Sequence, residues 1–134
     1  MENKYALITG ATSGIGYELA KIFAEQGYNL VLIARNKQNL DLTALEMKEI
    51  STGIDVQTID IDLFDRQAPK EIFEATHKLG ITIDVLVNNA GQGEWGKFLK
   101  TDLEREIDLI ELNIISLLSL TKFYVQEMKV KYCF

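Results

Sequence analysis

The first 26 residues constrain the fold more than any other part of the sequence. An apolar run, Tyr5-Ala6-Leu7-Ile8, leads into a glycine-rich loop, Thr9 to Gly16, and a segment with helical spacing, Tyr17 to Gln26, follows. Glycine at a strand exit permits a tight turn, and further glycines let phosphate oxygens approach the backbone. The first helical turn adds unpaired N–H groups and the positive end of the helix dipole. Strand, loop and helix in this order predict a site for a dinucleotide pyrophosphate. The candidate residues are Gly10, Thr12, Ser13, Gly14, Ile15 and Gly16.

Short apolar strands and amphipathic helices alternate along the rest of the sequence. The predicted strands are 30–34, 54–59 and 83–87, and the predicted helices are 36–50, 65–79 and 101–131. Asp65 is the expected N-cap of the helix over 65–79, and Thr101-x-x-Glu104 predicts a capping box for the last helix. Four strand–helix units with short connections predict an α/β fold, a doubly wound parallel sheet in one domain spanning residues 1–134.

Charge and composition limit the partners and the compartment that we expect. The net charge of −6, from 14 basic and 20 acidic residues, argues against binding to nucleic acid or to an anionic membrane surface. No apolar run approaches the roughly 18 residues of a membrane span, and the first strand begins too early to leave room for a signal peptide. A single cysteine, Cys133, fits a reducing compartment. We therefore expect a cytoplasmic protein.

Three motifs in register resemble those of the short-chain dehydrogenase/reductase family. They are the spacing Gly10-x-x-x-Gly14-x-Gly16, the pair Asp62-Leu63 after the third strand, and Asn88-Asn89-Ala90-Gly91 after the fourth. The resemblance implies a Rossmann-type sheet with strand order 3-2-1-4 and a nicotinamide cofactor. It also implies that Asp62 and Leu63 contact adenine; the alternative is that Asp60 and Asp62 only polarise a turn. The further cofactor contacts that it implies are Asn89, Ala90 and Gly91.

The end of the second strand bears on the choice between NAD and NADP. A carboxylate there would bind the ribose 2′-hydroxyl and repel a 2′-phosphate, but this chain has Ala34-Arg35. A guanidinium accepts a phosphate through bidentate, charge-assisted bonds, and the Ser13 hydroxyl could add a further bond. NADP(H) is therefore the expected cofactor and NAD the less favoured one. The alternative is that Arg35 is a solvated residue at a strand end.

Asn113 lies at the position where the resemblance implies the family's catalytic asparagine. It falls at the edge of an apolar face that we expect to be buried, comprising Ile107, Ile110, Ile114, Leu117 and Thr121. In the family this side chain helps to hold a water behind the active-site lysine. The alternative is a structural asparagine that bridges helix turns. Asp60 and Asp62 lack a third ligand in view, so no metal site is expected.

The remaining catalytic residues that the resemblance implies are a serine and a Tyr-x-x-x-Lys pair beyond the last predicted helix. The Tyr-x-x-x-Lys sequence present, Tyr17 to Lys21, lies on the first helix and is expected to point to solvent. We therefore expect the cofactor-binding half of a reductase that acts on a small carbonyl or alcohol substrate. Two alternatives stay open: a catalytically inactive NADPH-binding module, and a fragment that binds no cofactor and acts through association.

Self-association is expected from two apolar surfaces. The fourth strand carries apolar residues on both faces, Val85 to Val87, and would form a sheet edge. The last helix adds Leu112, Ile115 and Phe123 opposite its first apolar face, so it is apolar nearly all round. Homo-oligomers through the fourth strand or the last helix are the expected result.

Overall fold

The computed structural model describes the backbone of residues 3–132 and the side chains through residue 128. Four strands alternate with helices along the chain. The strands are β1 (Tyr5–Thr9), β2 (Asn29–Ala34), β3 (Val56–Asp60) and β4 (Ile83–Val87). The helices are α1 (Gly14–Glu25), α2 (Lys37–Ile50), α3 (Ala68–Lys78), α4 (Leu103–Ile110) and α5 (Leu117–Tyr132). Cys133, the basis of the expected reducing compartment, lies outside the described residues.

All strand pairs are parallel, and the order is β3-β2-β1-β4. This confirms the doubly wound α/β fold and the strand order that the resemblance implied. Successive residues of β1 and β2 point to opposite faces of the sheet, and both faces are covered. One face packs on α1 and α2, and the other packs on α3 and the last helical segment. Helices therefore cover both faces of the sheet and leave the ends of its strands accessible.

Two helix starts differ from the sequence prediction. Asp65 accepts a hydrogen bond from the Gln67 backbone N–H at 2.8 Å and so closes a turn, and α3 begins only at Ala68. The capping box at Thr101 is absent, because the Thr101 hydroxyl donates to the backbone oxygen of Phe98 at the end of a 3₁₀ turn. Asp102 caps α4 instead and accepts from the Arg105 N–H at 3.2 Å.

The last predicted helix is divided by a wide π turn, Glu111–Ser116, between α4 and α5. The expected buried face was wrong: Ile107, Ile110, Ile114 and Leu117 are all between 42% and 56% exposed. The opposite face is buried against α3 and the segment after β3, and its residues are Leu109, Leu112, Ser116, Leu120 and Tyr124. The Ser116 hydroxyl donates to the Leu63 backbone oxygen at 2.7 Å, which fixes this orientation.

Within the described residues, no helix combines the length and the apolar character that crossing a bilayer requires.

Candidate functional site

A cleft of about 360 Å³ opens where the carboxyl ends of the four strands meet. In a doubly wound sheet this edge is where ligands bind, at the point where the strand order reverses. The volume falls within the range of small-molecule sites. Of the predicted cofactor residues, the cleft is lined by Gly10, Ser13, Ile15, Arg35, Asp62, Leu63, Asn89, Ala90 and Gly91. It is also lined by residues that the sequence analysis did not select as cofactor contacts: Ile33, Ala34, Ile61, Phe64, Gln92 and Leu112.

The other three predicted residues lie beside the cleft and do not line it. Thr12 and Gly14 face a neighbouring open groove between α1 and α2. Gly16 is buried in the first turn of α1, where an added Cβ would overlap the Gly10 backbone oxygen and lie 2.5 Å from Asn89 Nδ2. Its role in this structure is therefore close packing of the helix on the strand ends. Gly10 has φ +64, a left-handed conformation that favours glycine.

Hydrogen bonds join the loop after β1 to the loop after β4. Asn89 Nδ2 donates to the backbone oxygens of Thr9 and Gly10, at 3.0 and 3.2 Å. The Thr9 hydroxyl accepts from the backbone N–H groups of Asn89 and Ala90, at 3.0 and 2.9 Å. Asn88 points the other way, and its Nδ2 donates to Thr121 Oγ1 on α5 at 2.9 Å. Two walls of the cleft are thus fixed to each other by Thr9 and Asn89.

Replacing Thr9 with valine is expected to lower the free energy of unfolding by about 1–2 kcal/mol. Valine has a similar shape, but it leaves the Ala90 N–H without its acceptor and the Asn89 N–H with the Val87 backbone oxygen alone, in a site that is only 2% exposed at Thr9. Urea denaturation measures the change. Thr9→Ser is the matched control, because it keeps the hydroxyl, and a loss of the same size in both variants would contradict this role.

Arg35 follows β2, and its guanidinium lies exposed at the mouth of the cleft. Its Cζ atom is 5.4 Å from the centre of the Phe64 ring. Among the described side chains, no carboxylate forms an ion pair with it. Ser13, the N-cap of α1, makes no capping hydrogen bond with its hydroxyl. Donors of Arg35 and Ser13 therefore face a common space and remain open to an anionic ligand.

Asp62 stabilises a turn beside the same cleft. Its Oδ1 accepts from the Phe64 backbone N–H at 2.9 Å, and its backbone oxygen accepts from Asp65 N–H at 3.0 Å. The carboxylate is exposed and retains acceptor capacity for a ligand. Leu63 is buried next to it. Among the described residues, no group of three or more His, Cys, Asp or Glu side chains is placed to hold a metal ion.

Asn113 lies in the π turn, which directs its amide across to the loop after β4. Its Oδ1 accepts from the Gln92 backbone N–H at 3.0 Å, and its Nδ2 donates to the Gln92 backbone oxygen at 2.7 Å. The side chain thus bridges the helical segment to the β4 loop and does not bridge helix turns. π turns of this kind are frequent at functional sites.

Tyr17 does not point freely into solvent, contrary to the expectation. Its ring packs against the core face of α1 and α2, and its hydroxyl donates to Glu46 Oε2 at 2.8 Å. This hydrogen bond to the Glu46 carboxylate raises the pKa of Tyr17. Tyr17 faces the groove between α1 and α2 and does not line the cleft, so the structure places it outside the candidate site.

The chain is similar to known proteins over nearly its whole length. A family model described as short chain dehydrogenase matches residues 4–132. The very-long-chain 3-oxoacyl-CoA reductase of Mycosarcoma maydis is 37% identical over 128 residues, which cover 92% of this chain and 36% of the relative. A putative ketoacyl reductase of Streptomyces coelicolor is 32% identical over 123 residues, which cover 90% of this chain and 46% of that reductase.

Solved structures agree with the fold in detail. The L-sorbose reductase of Gluconobacter frateurii, complexed with NADPH and L-sorbose, superposes with a TM-score of 0.89 at 30% identity, covering 98% of this chain and 49% of that one. An alcohol dehydrogenase from Comamonas testosteroni, specific for bulky-bulky ketones, superposes with a TM-score of 0.88 at 32% identity. The match covers 98% of this chain and 52% of that one. The present chain therefore spans about half the length of these solved structures and less than half of the curated relatives.

Proposed function

The chain belongs to the short-chain dehydrogenase family, and we propose that it forms the NADP(H)-binding part of an oxidoreductase that transfers hydride to or from a carbonyl or alcohol carbon. One observation carries this proposal. The glycine-rich loop, Arg35, the turn at Asp62 and the loop after β4 converge on one cleft at the carboxyl edge of the sheet. Those are the parts that the chemistry of a dinucleotide requires: backbone donors for pyrophosphate, a cation for a further phosphate and an apolar wall for adenine.

Different residues of the cleft would bind different parts of NADP(H). The backbone at the start of α1 would hold the pyrophosphate, because the helix dipole and the first N–H groups favour an anion there. Asp62 and Leu63 would contact adenine, and the backbone of Ala90 and Gly91 would approach the ribose. When bound, the cofactor supplies or accepts the hydride, and the protein supplies orientation.

NADP(H) is favoured over NAD by the chemistry of the second strand end. Arg35 offers unpaired guanidinium donors, and Ser13 adds a hydroxyl on the same side of the cleft. A 2′-phosphate would take these donors through charge-assisted bonds. Solved neighbours that bind NADPH, including a short-chain dehydrogenase of Sphingobium yanoikuyae, support the same choice.

The proposed reaction of the whole protein is the reduction of a ketone. Relatives named as ketoacyl and 3-oxoacyl-CoA reductases support this substrate class. Asn113 would act by holding the β4 loop and a water near the reacting end of the cofactor. The alternative is an NADPH-binding module without catalysis, which would hold the cofactor in the same cleft.

Titration of the chain with NADPH tests the proposal, with the fluorescence of the bound nicotinamide as the readout. We expect saturable binding that NADP⁺ competes away. In the whole protein, oxidation of NADPH on addition of a 3-oxoacyl thioester would support the reductase, and binding of NADPH without turnover would favour the module. Failure of NADPH to bind at millimolar concentration would overturn both.

We also propose that the chain self-associates through β4 or the π turn and its neighbouring helices. Among the described residues β4 is an edge strand of the sheet, and the apolar side chains of Ile107, Ile110 and Ile114 are each about half exposed. Light scattering at tens of micromolar is expected to give a mass above that of a monomer, and Ile110→Lys with Ile114→Lys is expected to lower it. A monomeric wild-type chain would contradict this expectation.

A further inference from the structure

Arg105 is a half-buried arginine in the first turn of α4 that contacts two walls of the cleft without lining it. Its Cζ atom lies 5.4 Å from the centre of the Phe64 ring, on the wall that follows β3. Its Nη2 donates to Gln92 Oε1 at 2.5 Å, on the wall that follows β4. Its Nε lies 3.4 Å from Glu94 Oε2. One planar guanidinium thus connects the two walls that carry Phe64 and Gln92, both of which do line the cleft.

Each contact of Arg105 continues into another part of the site. The Phe64 ring also lies 5.4 Å from the Cζ atom of Arg35, so the same ring contacts both arginines. The Gln92 backbone is held on both its N–H and its oxygen by Asn113. A continuous set of contacts therefore runs from Arg35 through Phe64, Arg105 and Gln92 to Asn113.

We propose that Arg105 is a positioning residue for the nucleotide, which sets the width of the cleft by holding Phe64 and Gln92 in place. The inference rests on the proposed NADP(H) function, and it assigns to Arg105 no contact with the cofactor. Phe64 directly follows Asp62 and Leu63, so a shift of its ring alters the wall against which adenine would lie. A shift of Gln92 moves the opposite wall.

The geometry requires arginine rather than any cation. The planar, delocalised guanidinium combines three contacts: its Cζ atom lies over the Phe64 ring, its Nη2 donates to Gln92, and its Nε forms an ion pair with Glu94. A lysine ammonium is a compact charge on a flexible stem and does not satisfy both walls at once. Charge alone is therefore insufficient, which distinguishes this role from direct attraction of the 2′-phosphate.

The test compares NADPH affinities of the wild-type chain with those of Arg105→Met and Arg105→Lys. We expect both variants to bind NADPH roughly 5- to 10-fold more weakly, the combined loss of a ring contact and a charged hydrogen bond. The unfolding temperature is expected to change by no more than about 3 °C, because the side chain is half-exposed. Arg66→Met is the matched control, since Arg66 is an exposed arginine two residues beyond Phe64, and it should bind as the wild type does.

A double-mutant cycle with Phe64→Leu tests whether Arg105 acts through the ring. If it does, Arg105→Met lowers the NADPH affinity of the Phe64→Leu variant by a clearly smaller factor than it lowers the affinity of the wild-type chain. Wild-type affinity in Arg105→Met, full affinity in Arg105→Lys, or strictly additive effects would each overturn the inference and leave the proposed function intact. A wild-type chain that does not bind NADPH would overturn the proposed function and this inference with it.

Discussion

Replacing Arg35 with alanine is expected to weaken NADPH binding by about 10- to 100-fold, the equivalent of losing charge-assisted hydrogen bonds to one phosphate. NADH has no 2′-phosphate, so its affinity should change little. The guanidinium is exposed at the cleft mouth, and its contact in the structure is with the Phe64 ring, so its removal should leave the fold intact. Arg35→Asp should go further and favour NADH, because a carboxylate repels the phosphate and accepts from a ribose hydroxyl.

Fluorescence titrations with NADPH and NADH, at a fixed low salt concentration, measure both affinities. Lys48→Ala is the control, because this exposed cation lies at the far end of α2. It removes the same formal charge from the surface without touching the cleft. Equal losses for the two cofactors in Arg35→Ala, or losses of similar size in Lys48→Ala, would exclude a specific contact with the 2′-phosphate.

The second large effect is expected for Gly16→Ala, which should lower the free energy of unfolding by about 2–3 kcal/mol. Alanine is the better helix former by about 1 kcal/mol, so propensity alone predicts a more stable protein. The steric cost is larger, because the new methyl group overlaps the Gly10 backbone oxygen and Asn89 Nδ2, which is itself bonded to two carbonyls. Either α1 or the joined loops must move, and NADPH affinity should fall as well.

Thermal unfolding followed by circular dichroism measures the loss, with a decrease of roughly 10 °C expected for a domain of this size. Gly93→Ala is the control: its added Cβ meets no atom within 4 Å, and its φ lies outside the left-handed region. That variant should stay within about 0.5 kcal/mol of the wild type. A Gly16→Ala protein as stable as wild type would show that the helix start tolerates a side chain.

The sheet and most of the cleft could be predicted because each depends on local sequence. The apolar run before Gly10 defines β1, and strand–helix alternation forces a parallel sheet whose carboxyl ends meet. Residues within two positions of a strand end, such as Arg35 and Asn89, are then brought to one edge by topology alone. This is why nine of the predicted cofactor residues line one cleft.

The face of the last helix could not be predicted in this way. Its sequence is apolar nearly all round, so periodicity does not decide which side is buried, and the π turn changes the phase between α4 and α5. Packing of Leu112 and Ser116 on the turn at Leu63 decides it. Gln92 and Phe64 were missed as cleft residues although each directly follows a motif that was recognised. Arg105 had no local signal, because its partners Glu94, Gln92 and Phe64 lie 11, 13 and 41 residues away in sequence.

The position of β4 has a dynamic consequence for the site. Within the described residues β4 pairs in the sheet with β1 alone, whereas β1 pairs on both sides, and opening at a sheet edge costs less than opening at its centre. The loop from Asn89 to Gln92 follows β4 at the edge of the sheet, whereas the glycine-rich loop follows β1 at its centre. Amide hydrogens on the two sides of the cleft should therefore exchange with solvent at different rates. A bound nucleotide that bridges both sides would slow exchange mainly on the β4 side.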